Sequence, residues 1–193
     1  VMDRPNLTVI TKAHATRILF DGKRAVGVEY AQGRTRHQVR AKREVILSGG
    51  AFNSPQLLQL SGVGDGAALS AQGVEVVHDL PGVGKNLQDH LDFILSYKTK
   101  DRDNIGLGLR AGISLVRHAL KWRKDGVSMF ATPYGEAGSF FKTDPELERP
   151  DVQTHFVISI VDDHARKLHL GHGYSCHVCL LRPHSRGEVF LQS

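Results

Sequence analysis

Residues Glu44 to Gly64 read E-V-I-L-S-G-G-A-F-N-S-P-Q-L-L-Q-L-S-G-V-G, and this stretch decides the fold that we predict. The apolar run Val45–Leu47 is typical of a short buried strand. The turn Ser48–Gly50 follows, where glycine lets the backbone bend sharply. Ser54 as N-cap and Pro55 at the first helical position then predict the start of a helix. A strand, a glycine turn and a helix N-terminus form an arrangement suited to holding an anion on free N–H groups.

The predicted helix carries Leu57, Leu58 and Leu60 on an apolar face, and Gly62 is a natural stop. These features alone leave two interpretations open. Most junctions of this kind only reverse the chain, whereas a minority bind the phosphates of a nucleotide.

The exact residue pattern of this stretch is more specific than the secondary structure that it predicts. S-G-G-A-x-N-S-P-Q-L-L-x-L-S-G-V-G resembles the second signature of the glucose–methanol–choline family of flavin-dependent oxidoreductases. Further stretches resemble the same family in the same order, and the last two look like its choline dehydrogenase branch. These stretches are 6–9 with 24–30, 80–90, 136–140 and 183–189.

Composition excludes several classes of protein. The 193 residues are 40% hydrophobic and 23% charged, as in an ordinary globular protein. The net charge of +5 comes from scattered Lys and Arg without an aromatic ladder, so we expect no nucleic-acid partner. No apolar run reaches membrane-spanning length. The two cysteines, Cys176 and Cys179, fit a reducing compartment. We therefore expect a cytoplasmic location, with peripheral attachment to the inner membrane left open.

The predicted architecture is α+β with two parts. Residues 1–91 should be part of a FAD-binding domain made of strands, a glycine turn and short helices. Residues 92–193 should be part of a substrate-binding domain, an antiparallel sheet with a helix over Ile113–Trp122 packed on it. The strands are predicted at 8–11, 15–19, 25–30, 36–41, 45–47, 74–78, 94–99, 152–160, 174–181 and 188–191, and a short helix at 67–72.

No G-x-G-x-x-G follows a predicted strand. The resemblance implies that the dinucleotide fingerprint lies nearer the N-terminus of a longer enzyme and that the catalytic histidine lies nearer its C-terminus. We therefore expect an internal fragment without catalytic residues of its own, inactive alone, whose partner is the remainder of the same polypeptide. We also expect FAD to be absent from this chain alone or weakly bound.

The resemblance implies a set of FAD-binding residues. The position of Ala15 meets the adenine through its backbone, and the family usually has valine there. The glycine turn and the loop after Gly82 lie near the cofactor, and Asp89-His90 does not supply the base. The implied cofactor-binding residues are Ala15, Ser48, Gly49, Gly50, Asn53, Ser54, Asn86, Asp89 and His90.

The stretch Gly135–Phe141 is the predicted substrate contact. Composition alone favours a solvated Glu136. In choline-type members, however, the matching glutamate faces the quaternary ammonium, and Phe140 could add a cation–π face. The substrate is then a small alcohol, with choline as the first candidate.

Several alternatives stay open at this level. Cys176-His177-Val178-Cys179 invites a zinc interpretation, but Cys176 and Cys179 point to opposite faces of a strand, so we predict no metal site. Six histidines cluster between residues 155 and 184, and we expect them on the surface. The chain could also be a non-catalytic binding or scaffolding module, or part of a flavoenzyme that oxidises other alcohols.

Overall fold

The computed structural model describes residues 2–101, 103–163, 166–167 and 169–192. The chain divides into two compact units. Unit 1 comprises Val1–Gln88 and Ser185–Ser193, and unit 2 comprises Asp89–His184. Both contain sheets with few helices, so the α+β class is confirmed. His164, one of the six clustered histidines, lies outside the described residues.

Unit 1 begins with the predicted antiparallel sheet. Strands β1 (His14–Asp21), β2 (Arg24–Gln32) and β3 (Thr35–Arg40) pair in the order β1-β2-β3. The Asp21-Gly22 signal is confirmed, because Asp21 pairs with Arg24 and Gly22 has a φ of 58°, a conformation that favours glycine.

The helix after the glycine turn starts earlier than predicted. Helix α1 spans Gly50–Leu60 with Gly49 at the N-cap, so Ser54 and Pro55 lie inside it. The Ser54 side chain instead points toward the start of the helix, where its Oγ accepts the N–H of Gly49 at 3.0 Å. Gly62 ends the helix as expected, with a φ of 87°.

The apolar face predicted for α1 is also different. Gln59 is the buried residue of this helix, with 5% of its surface exposed, and Leu60 is 42% exposed. The reason is a pair of long-range hydrogen bonds, since the Gln59 amide donates to the carbonyls of Val83 and Val189.

The short helix is confirmed. Helix α2 spans Gly66–Ala71, and the Asp65 carboxylate caps it by accepting the N–H of Ala68 at 3.0 Å. It lies between β4 (Val63–Gly64) and β5 (His78–Asp79), which pair in parallel. The predicted strand at 74–78 is therefore almost absent, with only its last residue in a ladder.

Three other predicted strands do not form. Residues 8–11, 45–47 and 188–191 are irregular. A strand needs a hydrogen-bonding neighbour, and within the described part of the chain no strand pairs with the run at 45–47. The residues at 45–47 have the composition of a strand, but among the described residues they lack a neighbouring strand to which their backbone could hydrogen-bond.

The last residues of the chain pack on unit 1, whereas the sequence grouped them with residues 92 onward. Leu87 and Gly187 exchange two backbone hydrogen bonds of 3.0 and 2.8 Å, and Val189 donates to the carbonyl of Gly84 at 2.8 Å. An ion pair between Lys85 and Glu188 lies beside them.

Unit 2 is built on a five-stranded antiparallel sheet. Its strands are β6 (Leu91–Thr99), β7 (Gly106–Leu107), β8 (Gly135–Phe141), β9 (Val152–Val157) and β10 (Gly171–Leu180). The order is β6-β10-β9-β8, and β7 also pairs with β10. The strands predicted at 94–99, 152–160 and 174–181 correspond to β6, β9 and β10.

Helix α3 (Leu109–Asp125) matches the predicted helix and ends at Gly126, whose φ is 70°. The predicted packing is wrong in detail, because Ile113 and Trp122 are 57% and 52% exposed while the small Ala111 is buried. A 3₁₀ turn at Met129–Ala131 follows. Among the described helices, none is long and apolar enough to span a bilayer.

Candidate functional site

A cleft of about 460 Å³ opens in unit 1 between the start of β1, the irregular segment at 45–49 and helix α1. Its walls include Ala15 and Thr16 from β1, Leu47 from the segment, and Ser54 and Leu57 from α1. No Asp, Glu, Lys or Arg is among the lining residues. Its size and largely apolar walls with a few polar groups are typical of small-molecule sites.

A polar triad fixes the β1 wall. The Thr16 hydroxyl donates to Glu29 Oε1 at 2.8 Å, and Arg36 Nη1 donates to the same oxygen at 2.8 Å. The hydrogen bond from Thr16, helped by the one from Arg36, lowers the pKa of Glu29 below its usual range. The carboxylate therefore keeps its charge and holds the Thr16 side chain at the cleft.

Ser61, at the end of α1, joins the helix to β1. Its hydroxyl donates to the carbonyl of Leu57 at 2.6 Å and accepts the N–H of Ile18 at 2.8 Å. Ser61 is 1% exposed and Ile18 is 3% exposed, so this contact is dry. β1 is an edge strand, and Ser61 satisfies a backbone donor that would otherwise be unpaired.

Neither Ser61 nor the buried Gln59 was predicted to have a role. Both lie inside the S-G-G-A-x-N-S-P-Q-L-L-x-L-S-G-V-G stretch, Gln59 at a variable position, but their hydrogen-bonding partners Ile18 and Val189 lie far away in the chain. The small size of Ser61 directly before Gly62 is the only signal in the sequence of a close approach between backbones.

The structure gathers five of the nine predicted cofactor residues in the cleft. Ala15, Ser48, Gly49, Asn53 and Ser54 all line it, although 33 positions separate Ala15 from the nearest of the others in the sequence.

The other four predicted residues lie elsewhere. Gly50 is the first residue of α1 and does not line the cleft. Asn86 is exposed in unit 1 with a φ of 61°, outside the cleft. Asp89 and His90 belong to unit 2 and are exposed, and the Asp89 carboxylate accepts the backbone N–H of His90 at 2.9 Å.

Glu136 and Phe140 lie on β8, the edge strand of the unit 2 sheet, and both are exposed. Gly135 pairs with Val157 and Ala137 with Phe156, so Glu136 is the extra residue of a β-bulge. The register places Phe140 on the face of β8 opposite Ala137. Neither Glu136 nor Phe140 lines the cleft of unit 1.

Three aromatic rings form a row next to that bulge. Tyr97 stacks on Tyr174 with ring centroids 5.3 Å apart, and Phe156 lies 5.3 Å from the same tyrosine. These distances are those of favourable aromatic pairs. Phe156 is also the partner of Ala137 across the strands, so the row ends one residue along β8 from Glu136.

A polar cluster on β6 and β10 corrects the prediction of surface histidines for His177, whose side chain is 14% exposed, whereas His184 is exposed as predicted. His177 Nδ1 lies 2.7 Å from Asp92 Oδ2, and Cys179 donates to the other carboxylate oxygen at 3.4 Å. Burial, followed by the bond to Asp92 and its charge, raises the pKa of the Cys179 thiol above its usual value of 9.0. The thiol is therefore an unreactive donor. Among the described residues, no group of three metal ligands is assembled.

The cleft residues fit the adenosine part of a flavin nucleotide in two respects. No Asp, Glu, Lys or Arg lines the cleft, so an aromatic base can enter without desolvating a charge. The N-terminus of α1, which borders the cleft, has no side-chain cap. Free N–H groups at a helix N-terminus favour oxygen acceptors. Ala15, Ser48, Gly49, Asn53 and Ser54 are the residues that would hold the group.

Comparison with known proteins finds one family that resembles the N-terminal part of the chain. Residues 1–92 match the family described as GMC oxidoreductase. Over these residues the chain is similar to this glucose–methanol–choline family of flavin-dependent oxidoreductases.

Two relatives match along essentially the whole chain. An alcohol dehydrogenase [acceptor] of Pseudomonas putida is 47% identical over 100% of this chain and 35% of its own length. An oxygen-dependent choline dehydrogenase of Burkholderia cenocepacia is 43% identical over 98% of this chain and 33% of its own length. The chain thus spans about a third of the length of the curated relatives it matches.

Solved structures show the same similarity. A variant of Aspergillus oryzae formate oxidase superposes with a TM-score of 0.87 at 26% identity, covering 100% of this chain and 39% of the other. A pyridoxine 4-oxidase superposes with a TM-score of 0.71 at 25% identity, covering 96% of this chain and 32% of the other. Both share the fold of the two units.

Proposed function

We propose that the complete polypeptide is a FAD-dependent oxidoreductase that oxidises an alcohol, and that unit 1 of this chain supplies part of the cofactor site. The observation that carries this proposal is the cleft, because five residues that the family resemblance implies as FAD contacts meet in it. Unit 2 would supply the sheet of the substrate-binding domain.

The chain's own residues bind and orient rather than react. Leu47 and Leu57 give the cleft apolar walls, Ala15 leaves room for a planar ring, and Asn53 and Ser54 add polar groups at its edge. Bound flavin would supply the two-electron acceptor for the oxidation of the alcohol carbon. The base that takes the hydroxyl proton is expected outside this chain, so the chain alone should be inactive and bind FAD weakly.

A substitution of Ala15 tests the cofactor site. In the complete polypeptide, Ala15→Leu adds three carbons to the wall of the cleft. Overpacking a well-fitted site costs about 1–3 kcal/mol, so the dissociation constant for FAD should rise roughly 5- to 150-fold. The measurement is flavin fluorescence titration of the deflavinated protein.

The matched control is Ala67→Leu, because Ala67 is also exposed in unit 1 and lies outside the cleft. It should leave flavin affinity unchanged. If both variants bind FAD as well as the wild type, the cleft is not the adenosine site.

For the substrate, we propose a small alcohol with a cationic head group, such as choline. The supporting observation is the β-bulge at Glu136 next to the row of Phe156, Tyr174 and Tyr97. A carboxylate beside aromatic faces suits a quaternary ammonium ion, which ring faces attract. A neutral alcohol would gain no attraction from the Glu136 carboxylate. If Glu136 does not contact the substrate, the alternative is that the enzyme oxidises a neutral alcohol.

Glu136→Gln separates these possibilities in the complete polypeptide. An exposed charge pair is worth about 0.2–1 kcal/mol, whereas breaking a desolvated pair costs about 2–5 kcal/mol. A loss in kcat/KM for choline above roughly 30-fold would therefore mean that the assembled enzyme desolvates Glu136 against the substrate. The uncharged isostere 3,3-dimethylbutanol should be affected little.

Glu148→Gln is the control for the general loss of a negative charge, because the Glu148 side chain is 87% exposed in the same unit. Equal losses on choline and on the isostere would make Glu136 a structural residue and favour the neutral substrate. A cytoplasmic location of the enzyme is part of the proposal. A scaffolding module, in contrast, would predict no flavin in the purified complete polypeptide.

A further inference from the structure

Tyr134 lies two residues before Glu136 in a backbone conformation that a bulky side chain rarely adopts. Its φ is 66°, in the left-handed region that disfavours residues other than glycine, asparagine and aspartate. Gly135 follows directly, yet its own φ is not positive. The residue that tolerates this conformation best therefore stands one position after the place that needs it. Such strain persists only where the surrounding structure enforces it, and it is concentrated at functional sites.

Hydrogen bonds on both sides of Tyr134 hold this conformation. The Thr132 hydroxyl oxygen accepts the N–H of Tyr134 at 3.0 Å. The carbonyl of Tyr134 accepts the N–H of Ile158, the residue after β9, at 3.2 Å. Thr132 is half-buried and Ile158 is 9% exposed, so the second bond is shielded from water. We call Thr132 and Tyr134 with these two hydrogen bonds the Tyr134 turn.

The Tyr134 turn sets how β8 begins against β9. Directly after the turn Gly135 pairs with Val157, and Glu136 is the extra residue before the next pair. If Tyr134 became extended, its carbonyl would leave the N–H of Ile158, and the first pair of β8 would lose its neighbour on that side. Successive side chains of a strand point to opposite faces, so a shift of one residue in this pairing would turn Glu136 to another side of β8.

We propose that Thr132 is a positioning residue that keeps Glu136 in the bulge and thereby directs its carboxylate at the cationic head group of the substrate. This proposal rests on the proposed function, because it concerns the substrate contact of the same enzyme. Thr132 acts through the backbone. Its hydroxyl holds the N–H of Tyr134, Tyr134 stays left-handed, and the chain enters β8 with Glu136 as the extra residue.

Thr132→Val in the complete polypeptide removes the acceptor and keeps the shape of the side chain. The lost hydrogen bond corresponds to a roughly 2- to 12-fold change in the equilibrium between the turn and its alternatives. The backbone N–H of Ile158 should therefore exchange with solvent faster by about the same factor, as measured by amide hydrogen exchange. Thr99→Val is the matched control, because the Thr99 hydroxyl also accepts the N–H two residues further along, at 3.1 Å. It should leave the exchange of Ile158 at the wild-type rate.

A double-mutant cycle of Thr132→Val and Glu136→Gln tests whether the turn serves the substrate contact. In Thr132→Val, kcat/KM for choline should fall about 2- to 12-fold, and that for 3,3-dimethylbutanol should stay unchanged. In the Glu136→Gln background, Thr132→Val should have no further effect on choline, because the group that it positions is already neutral. Thr99→Val should change neither substrate in either background.

Wild-type exchange at Ile158 in Thr132→Val would overturn the proposal, since the hydroxyl would then not hold the turn. Additive losses in the cycle, or equal losses on choline and on the isostere, would also overturn it, because Thr132 would then support the fold of unit 2 rather than Glu136. The proposed substrate is judged separately. If Glu136→Gln alone spares choline, the cationic substrate is wrong, and the exchange rate of Ile158 still decides whether Thr132 holds the bulge.

Discussion

Replacing Ser61 with alanine tests how the candidate cleft is held together. The Ser61 hydroxyl accepts the N–H of Ile18 at 2.8 Å in a place where Ile18 is 3% exposed. Alanine removes the acceptor without making room for water. Leaving a buried donor unsatisfied costs about 1–3 kcal/mol, whereas the net value of an intact hydrogen bond is about 0.5–1.5 kcal/mol. The unpaired Ile18 N–H therefore dominates the effect.

Amide hydrogen exchange measures this change locally. The Ile18 amide is at the edge of the β1–β3 sheet, where Ser61 is its partner. A loss of 1–3 kcal/mol should accelerate its exchange roughly 5- to 150-fold. Flavin affinity should fall as well, because β1 and α1 form two walls of the cleft.

Ser70→Ala is the matched control, since the Ser70 hydroxyl only donates to the carbonyl of Gly66 on the exposed side of α2. Its removal should change neither the Ile18 exchange rate nor flavin affinity. Wild-type exchange at Ile18 in the Ser61 variant would refute the reasoning. It would mean that packing rather than the hydroxyl protects the edge of β1.

Two further predictions concern titratable groups in unit 2. The Asp151 carboxylate accepts the hydroxyl and the N–H of Thr143, which lowers its pKa below the ordinary 3.8. The stability that the charged carboxylate contributes is thus present above pH 3.8 and lost as the pH falls. The free energies of unfolding of the wild type and of Asp151→Asn should therefore converge in acid. A difference that stays constant with pH would contradict this. Burial and Asp92 raise the pKa of Cys179, so its thiol should react slowly at neutral pH. Iodoacetamide should therefore label Cys176 before Cys179, as measured by mass spectrometry. Equal labelling of the two cysteines would contradict this prediction.

The sequence predicted those elements whose signals are local. Asp21-Gly22 specifies a hairpin within a few residues, and Asp65 caps α2 through an N–H only three residues away. The hairpin and the helix cap were predicted correctly because the interactions that decide them lie within one short stretch of the chain. Five of the residues that the family resemblance implies line the cleft, and their role in binding FAD stays a prediction.

Predictions failed where the deciding partner is distant. Gln59 is buried because of Val189, 130 residues further along, and Ser61 because of Ile18, 43 residues earlier. The start of α1 was misplaced for a different reason. Gly50 has a φ of 81°, which lets the chain enter the helix five residues before the start predicted from Ser54 and Pro55.

The central position of β10 has a consequence for synthesis of the protein. β6, β7 and β9 all pair with β10, yet β6 ends at Thr99 and β10 begins only at Gly171. At about 5–20 residues per second, a ribosome needs roughly 4 to 14 seconds to bridge that interval. During this time β6 emerges with its apolar side chains exposed and without its partner, whereas the hairpin of β1 and β2 closes within itself. The sheet of unit 2 can therefore close only after β10 has been synthesised, several seconds later than the hairpin of unit 1.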